Sequence, residues 1–201
     1  VYFAMPFVPG QISSQSWVDE GIVTNKSFKI NEPIFPDSIT ITKNEKNKVL
    51  KKSIHEFKAM LNKASIVLNS EFGVEFSHHH GVENFREIGA LIIDCINREY
   101  CKKLILVLPG QRHPSHYHKK KEETFQVLSG VFESVIDGHH RVMNPGDTAL
   151  VQPGVWHEFW SKDGCIVEEV STTHYDNDSV YNNKKINNLK RSERKKKVKN
   201  W

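Results

Sequence analysis

Short apolar runs separated by turn residues dominate the chain from Gly73 onward. Seven such runs follow one another, at residues 74–76, 90–95, 103–108, 124–128, 131–136, 149–151 and 165–170. Glycine-containing pairs such as Pro109-Gly110 and Asp137-Gly138 stand between them. Evenly spaced short strands with turns of this kind are typical of antiparallel barrels and jelly rolls. The pattern therefore predicts a mainly β fold.

One amphipathic helix is predicted ahead of these strands. Ser53 and Glu56 have the spacing of a capping box, in which each side chain bonds the backbone N–H of the other end. Apolar residues then recur every three or four positions over residues 54–68, which is the helical period. We expect this helix to cover the barrel or a sheet edge. The charged stretch from Lys43 to Lys52 is expected to be a linker.

Residues 1–47 are predicted to be extended. Four prolines punctuate this segment, and it lacks a helical period. Its first residue is Val1, and residues 1–8 are apolar enough for a buried strand. We therefore expect the natural chain to begin further upstream.

The positive charge of the chain is concentrated at its C-terminal end. The formal net charge is +4, while Lys184 to Trp201 contain nine Lys or Arg and one Glu. That segment carries +8, so residues 1–183 carry 4 − 8 = −4. A basic end of this kind is either a nucleic-acid arm or a solvated helix or frayed end. Without interleaved aromatic residues, the second interpretation is favoured and no nucleic-acid partner is expected.

Three cysteines, Cys95, Cys101 and Cys165, form no C-x-x-C pair. An odd number without paired spacing is typical of buried thiols in a cytoplasmic protein. No apolar stretch approaches the length of a membrane span, and no signal peptide is visible. These features predict a cytoplasmic protein without a membrane partner.

Three histidines and one glutamate form a candidate metal site. His116 and His118 stand two residues apart, so both side chains point to one face of a strand. Glu123 heads the next apolar run and can return to that face. His157 follows Pro153-Gly154 after another short strand. Three imidazoles and one carboxylate that converge inside a barrel are suited to a divalent metal.

The spacing G-x5-H-x-H-x4-E-x6-G over residues 110–130, followed by G-x7-G-x2-H over residues 146–157, resembles the two motifs of the cupin superfamily. Glu122 is a rival for the glutamate position, but only Glu123 leaves six residues before Gly130. Gln152 and Ser161 depart from the usual pattern at positions that bind no metal. The resemblance implies a double-stranded β-helix, or jelly-roll barrel, that binds metal through the histidines and the glutamate.

The donor set narrows the choice of metal. Neutral imidazole binds Mn, Fe, Ni or Zn, and the hard carboxylate oxygen favours Mn or Fe, with Mn preferred here. Four protein ligands on a six-coordinate ion leave exchangeable positions, which a catalytic metal needs.

Two further resemblances suggest a context. Residues 22–39 resemble the start of the SAF domain of sialic acid synthases, and the preceding YFAMPFVPGQ resembles the linker before that domain. The block GQRHPSHYHKKKEETFQVLSG resembles the cupin module attached to some such synthases and, more loosely, the sugar-isomerase cupins of the D-lyxose isomerase type. The expected organisation is an extended SAF-like segment (1–47), a helical linker (48–72), a cupin barrel (73–181) and a basic tail (182–201).

Three functions remain open for the cupin. It could isomerise a sugar with metal and a proton-moving carboxylate, bind a sugar without turnover, or serve as a dimerisation module with a structural metal. Glu169, Glu158 and Lys121 are the candidate acid–base groups. Glu168 and Glu169 point to opposite faces, so at most one of them faces the interior. The cupin resemblance also implies a homodimer and a small sugar ligand.

The remaining histidines carry weaker predictions. His78, His79 and His80 are expected to end a strand, with one ring near the barrel mouth. His113 is a candidate for the pocket rim, in either a structural or a functional role. His139 and His140 are expected to face solvent in a hairpin.

Overall fold

The structure, a computed structural model, describes residues 43–68, 72–198 and 201. Its helical elements are α1 (Lys43–Lys63), a 3-10 turn (Val82–Asn84), α2 (Lys184–Asn188) and α3 (Arg191–Arg194). Its first six strands are β1 (Gly73–His78), β2 (Gly89–Asn97), β3 (Tyr100–Val107), β4 (Arg112–His118), β5 (Glu123–Gly130) and β6 (Phe132–Ile136). The other six are β7 (His139–Met143), β8 (Thr148–Val151), β9 (His157–Trp160), β10 (Cys165–Thr172), β11 (Ser179–Tyr181) and β12 (Lys195–Val198).

The strands form two antiparallel sheets. The larger sheet has the order β12-β1-β2-β3-β10-β5-β8, and the smaller has the order β11-β4-β9-β6-β7. Neighbours that are distant in sequence, such as β3 with β10 and β4 with β9, show that the chain crosses repeatedly between the sheets. This arrangement is the predicted jelly-roll barrel, and each predicted apolar run lies in one of its strands to within one residue. The expectation of a mainly β, double-stranded β-helix is confirmed.

Apolar side chains form two separate layers. One layer lies between the two sheets and contains residues such as Phe125, Phe132 and Phe159. The other lies on the outer face of the larger sheet, where helix α1 packs on residues such as Phe76 and Leu106. Since side chains alternate along a strand, the larger sheet buries apolar residues on both faces.

Helix α1 begins eleven residues before the predicted 54–68 and ends five residues earlier, at Lys63. The predicted linker is therefore helical and the predicted capping box is wrong. Ser53 is a buried residue within the helix, and Glu56 forms an ion pair with Arg86 instead. Lysine and glutamate have nearly the helix propensity of alanine, so a buried Leu50 is enough to extend the helix to the charged stretch. None of the described helices is both long and apolar enough to cross a membrane.

Phe57 lies in the apolar layer between helix α1 and the larger sheet. Its side chain is 0 % exposed and meets the ring of Phe85 edge-on, with the centroids 6.3 Å apart. We expect Phe57→Ala to lower the free energy of unfolding by about 3–5 kcal/mol, because it removes apolar contacts and leaves a cavity. Urea unfolding measures this change. The exposed Lys52 on the same helix provides the control, since its alanine variant should stay within about 0.5 kcal/mol of the parent. Equal stabilities of the two variants would contradict this packing.

The C-terminal basic segment folds onto the barrel. Strand β12 pairs antiparallel with β1, with Ser77 opposite Lys195 and Val74 opposite Val198. The buried carboxylate of Glu75 explains this docking, because it accepts hydrogen bonds from Arg191 (2.8 Å) and Lys195 (2.6 Å). A buried carboxylate requires partners of opposite charge. The expectation of a solvated helix or frayed end for this segment was therefore wrong.

The predicted extended, SAF-like segment lies almost entirely outside the described residues, which begin at Lys43. Its resemblance to a synthase linker stays a prediction. Residues 43–47, which were assigned to that segment, belong to helix α1.

Gly130, the last glycine of the first motif, lies where two strands come very close. Its φ is +78°, and a Cβ added there would lie 2.2 Å from the carbonyl oxygen of Gly164. Only glycine fits this combination of left-handed backbone and close approach. The glycine therefore allows β5 and β10 to pair to their ends, with Gly130 opposite Cys165.

Candidate metal centre

Strands β4 and β9 carry the three histidines of the predicted ligand set. His116 and His118 lie two residues apart on β4 and point to the same face, and His116 pairs with His157 on β9. All three residues are at most 5 % exposed. The main-chain N–H of Gly154 donates to the carbonyl of His118 at 2.7 Å, which ties the turn before β9 to the end of β4. The two strands thus bring the rings together inside the barrel.

The four predicted ligands surround one small volume. One nitrogen from each of His116, His118 and His157 lies within 4.8 Å of the other two. Glu123, the first residue of β5, reaches the same place. Its Oε1 is 2.9 Å from Nε2 of His157, and its Oε2 is 3.5 Å from Nε2 of His118.

The contacts of His157 call for a cation. Its Nδ1 lies 3.1 Å from the carbonyl oxygen of Val155, and its Nε2 lies 2.9 Å from the Glu123 carboxylate. Both partners are acceptors, but a neutral imidazole has only one proton to donate. If Nδ1 donates to Val155, then Nε2 and the carboxylate present lone pairs to each other. A metal ion bound by both would remove that conflict.

His116 is oriented in the same way. Its Nδ1 lies 3.0 Å from the carbonyl oxygen of Pro114, an acceptor that assigns the proton to Nδ1. The Nε2 lone pair then faces the other ligands. A backbone carbonyl that fixes the tautomer of a histidine is a regular companion of metal binding.

The protonation states also suit a metal. Burial lowers the pKa of His118 to about 3, and burial together with the nearby His157 lowers the pKa of His116 well below its usual value. Burial alone would raise the pKa of Glu123, but the charge of the Lys121 ammonium outweighs it and holds that pKa well below 4.5. At neutral pH the two imidazoles are therefore neutral and the carboxylate is ionised, as metal ligation requires.

Lys121 and Glu169 form the polar group next to the ligands. The ammonium of Lys121 contacts Oε2 of Glu123 and donates to Oε1 of Glu169 at 2.9 Å. The same Glu169 oxygen accepts from Ser171 at 3.2 Å and from Lys103 at 3.5 Å. Burial alone would raise the pKa of Glu169, but the two ammonium groups outweigh it and lower the pKa to about 2. Glu169 is thus an ionised carboxylate inside the barrel.

The side chains of Glu158 and Glu168 point away from the site. Glu158 follows His157 on β9, so its side chain points to the opposite face, where it pairs with Arg112 at 3.4 Å. The proposal of Glu158 as an acid–base group is therefore corrected, because strand alternation places it outside the cavity. Glu168 points outward in the same way and pairs with Lys102 at 2.8 Å.

Asp178 is a site residue that the sequence did not single out. Its main-chain carbonyl accepts the N–H of Lys119 at 3.1 Å, and its carboxylate accepts those of Lys120 (2.9 Å) and Lys121 (3.0 Å). The same carboxylate lies 3.6 Å from Nδ1 of His118. One buried residue thus holds the turn between two metal-ligand positions. Its place in the polar run after β10 was the available signal.

We expect Asp178→Asn to weaken metal binding by roughly 10–100-fold, as loss of an outer partner of a ligand does. The amide nitrogen of asparagine cannot accept the N–H that one carboxylate oxygen now accepts. Titration with Mn²⁺ followed by calorimetry measures the change. Asp163→Asn, at an exposed turn, is the control and should bind like the parent. If Asp178→Asn binds Mn²⁺ as tightly as the parent, the hydrogen bonds of the Asp178 carboxylate are not needed to position the metal ligands.

The other histidines divide between the interior and the surface. His79 and His113 are buried, and their Nε2 atoms lie 3.0 Å apart. The ring of His113 stacks on Phe159 and approaches His116, so it lies deeper than a pocket rim. His139 and His140 are exposed on β7, and the ring of His140 stacks on Trp160.

A cavity opens beside the ligands. The space between its walls, including the open mouth, is about 440 Å³. Polar groups from the metal site line one part, and apolar side chains such as Ile92, Ile105 and Phe125 line another. Trp156 is 40 % exposed and lies outside this lining. A mixed polar and apolar wall of this kind is suited to a small polar molecule with some hydrocarbon surface.

Comparison with known proteins agrees with this architecture. Residues 103–167 match the family model of the Cupin domain. The chain is 24 % identical over 178 residues to a D-lyxose/D-mannose isomerase of Thermosediminibacter oceani, covering 73 % of this chain and 96 % of the relative. It is 23 % identical over 167 residues to a D-lyxose ketol-isomerase of a Thermofilum species, a match that covers 65 % of this chain and 89 % of the relative.

Solved structures share the fold. An L-ribose isomerase from Geodermatophilus obscurus superimposes with a TM-score of 0.57 at 16 % identity, covering 75 % of this chain and 96 % of that one. The L-ribose isomerase from Cellulomonas parahominis, solved with L-ribose, superimposes with a TM-score of 0.55 at 15 % identity. The match covers 74 % of this chain and 95 % of that one. The family match spans both histidine motifs, and it includes strands of both sheets around the candidate metal centre. The chain therefore has the cupin fold, and residues 103–167 are similar to the Cupin domain family.

Proposed function

We propose that this cupin domain is a metal-dependent sugar isomerase that interconverts an aldose and its ketose. The observation that carries this proposal is the buried Glu169 carboxylate. It lies beside a three-histidine, one-glutamate site and shares Lys121 with the Glu123 ligand. The similarity to D-lyxose isomerases over most of their length supports the same class of substrate.

The residues that would hold the metal are His116, His118, Glu123 and His157. When bound, a divalent ion polarises a carbonyl or hydroxyl oxygen and so makes the neighbouring C–H more acidic. Mn²⁺ is our preferred ion because the donor set combines imidazoles with one hard oxygen.

Glu169 is proposed to move the proton. An aldose–ketose interconversion needs one group that takes the proton from C2 and returns it to C1. Glu169 is ionised at neutral pH, since Lys103 and Lys121 stabilise its charge.

Lys121 is proposed to donate a hydrogen bond to an oxygen atom of the sugar. The contacts of its ammonium with Glu123 and Glu169 raise its pKa, although burial acts in the opposite direction. It therefore stays protonated and can donate a hydrogen bond to a sugar oxygen that gains negative charge as the C–H proton leaves. Because Lys121 lies between the metal ligand and Glu169, it would hold such an oxygen near both.

Solvent exchange of the sugar proton tests the proposal. The metal-loaded protein is incubated in D₂O with D-lyxose, D-mannose, L-ribose and N-acetylhexosamines, and NMR follows loss of the C2 proton and formation of ketose. We expect exchange with at least one sugar, abolished by chelation and by His116→Ala. Full metal loading with neither exchange nor ketose formation for any sugar would overturn the proposal and leave a sugar-binding or dimerisation module with a structural metal.

The biological setting is a separate proposal that rests on sequence. The resemblance of residues 1–45 to a synthase linker and SAF segment suggests a sialic acid synthase-like parent chain, and hence a sugar of nonulosonic acid biosynthesis. A homodimer and a cytoplasmic location belong to the same proposal. Size-exclusion chromatography with light scattering tests the dimer.

A further inference from the structure

The cavity has a second group of nitrogen donors on the side of strands β1–β3 and β12. Lys103 comes from β3, His174 from the segment between β10 and β11, and Lys195 from β12. We propose that these three residues form a subsite for an acidic group, a carboxylate or a phosphate, carried by the sugar. The proposal rests on the function proposed above and names its substrate class as acidic sugars.

Lys103 is a buried ammonium with unused hydrogen-bonding capacity. The residue is 4 % exposed, and among the described residues its hydrogen bond is the 3.5 Å contact with Oε1 of Glu169. That oxygen already accepts from Lys121 at 2.9 Å and Ser171 at 3.2 Å. Asp94 lies opposite Lys103 in the sheet but forms its ion pair with Lys197. Buried lysines are normally paired, so the remaining N–H donors of Lys103 indicate a missing acceptor.

Lys195 adds a second cation at the same place. Its side chain is 13 % exposed and donates to Oε1 of Glu75 at 2.6 Å. The other oxygen of that carboxylate accepts from Arg191, which also pairs with Asp176. Glu75 is not among the residues that line the cavity, whereas Lys195 is. A ligand would therefore meet the ammonium rather than its carboxylate partner.

His174 supplies a neutral donor or acceptor between the lysines. Asn97 holds its main chain from both sides, with bonds of 2.9 Å to the N–H and 3.1 Å to the carbonyl. Its ring nitrogen Nδ1 is buried without a hydrogen-bond partner among the described residues. Burial lowers the pKa of this imidazole to about 3, with Lys103 and Lys195 acting in the same direction. An acceptor oxygen on a ligand would satisfy such a ring without changing its charge.

The charges on the cavity wall favour an anion over a neutral group. Lys103, Lys121 and Lys195 line it, against the carboxylates Glu123 and Glu169. Glu123 is assigned to the metal, and a divalent ion adds further positive charge. Glu75 offsets the charge of Lys195, so the positive excess is that of the bound divalent ion, and a carboxylate or phosphate would offset it in a site of low water content. Glu169 separates Lys103 from Lys121, so the subsite begins one side chain beyond the proposed reacting groups.

Three matched sugars test the subsite. D-Mannose, D-mannuronate and D-mannose 6-phosphate share one carbonyl end and differ only at C6. We expect kcat/KM for at least one of the two acids to exceed that for D-mannose tenfold or more, and the preferred acid identifies the source as carboxylate or phosphate. Turnover of D-mannose at least as efficient as that of both acids would overturn the proposal.

Substitution of Lys195 tests whether this residue binds the acidic group of the sugar. Lys195→Gln should lower kcat/KM for the preferred acid at least tenfold more than for D-mannose, since glutamine keeps a donor but removes the charge. Lys197→Gln, on the same strand with a side chain 63 % exposed, should leave both values unchanged. Circular dichroism checks folding, and His174→Gln replaces Lys195→Gln if that variant does not fold. Equal losses for acid and neutral sugar would contradict the assignment.

Binding measurements separate this inference from the isomerase proposal. If none of the sugars is turned over, the isomerase proposal fails, and calorimetry with D-mannuronate and D-mannose 6-phosphate still tests the subsite. Tenfold weaker binding of an acid to Lys195→Gln than to the parent would then support it. Absence of binding, or unchanged affinity in Lys195→Gln, would overturn it.

Discussion

Replacing His157 with alanine is expected to abolish stoichiometric binding of divalent metal. His157 faces the Glu123 carboxylate at 2.9 Å and pairs across the sheet with His116. The variant therefore removes one ligand and the contact that positions a second. The loss should exceed the roughly 10–100-fold that removal of an outer partner causes. Calorimetric titration with Mn²⁺, together with elemental analysis of the purified protein, measures it.

A second histidine gives the matched control for this experiment. His139 lies on the exposed strand β7, so His139→Ala changes the same residue type outside the barrel. It should bind Mn²⁺ like the parent. Parental affinity in His157→Ala would mean that the other three side chains suffice and that the cation does not lie between His157 and Glu123.

The metal ligands could be predicted because their arrangement depends on short-range rules. Alternation along β4 determines that His116 and His118 share a face, and the glycines of the motif mark where the strands end. The same alternation separated Glu169 from Glu168. In each case the decisive geometry lies within one strand, and a sequence displays such geometry directly.

The C-terminal segment shows where this reasoning stops. Lys195 to Val198 is lysine-rich and has no alternating apolar pattern, yet it forms strand β12. The cause lies more than a hundred residues earlier, in the buried carboxylate of Glu75 on β1. No local pattern connects two such distant residues, so the segment was expected to be solvated. The same limit hid the role of Lys195 in the cavity wall.

Asp178 and Glu158 illustrate the same limit within the site. Glu158 adjoins a metal ligand in sequence, which suggested a role, but its strand turns it away from the cavity. Asp178 is far from the ligands in sequence, but its carboxylate caps the turn that contains Lys121. Nearness in sequence identified the wrong carboxylate, because the barrel builds its site from strands that cross between two sheets.

Glu169→Gln is expected to reduce turnover by about 10²–10⁴-fold while metal binding is retained, because the amide cannot accept the sugar proton. Glutamine has nearly the same shape and can still bond Lys121 and Ser171, so the cavity should keep its form. The rate of C2 proton exchange in D₂O is the direct measurement, with Mn²⁺ content determined on the same samples.

Glu168 provides the matched control for Glu169→Gln. Glu168→Gln alters the adjacent residue of the same strand, where the side chain points outward and pairs with Lys102. Its exchange rate should equal that of the parent, since no group in the cavity changes. Undiminished exchange in Glu169→Gln would exclude this carboxylate as the base. Loss of metal in that variant would instead assign Glu169 to holding Lys121 and Glu123 in place, because the chain of contacts from Glu169 reaches the ligand through Lys121.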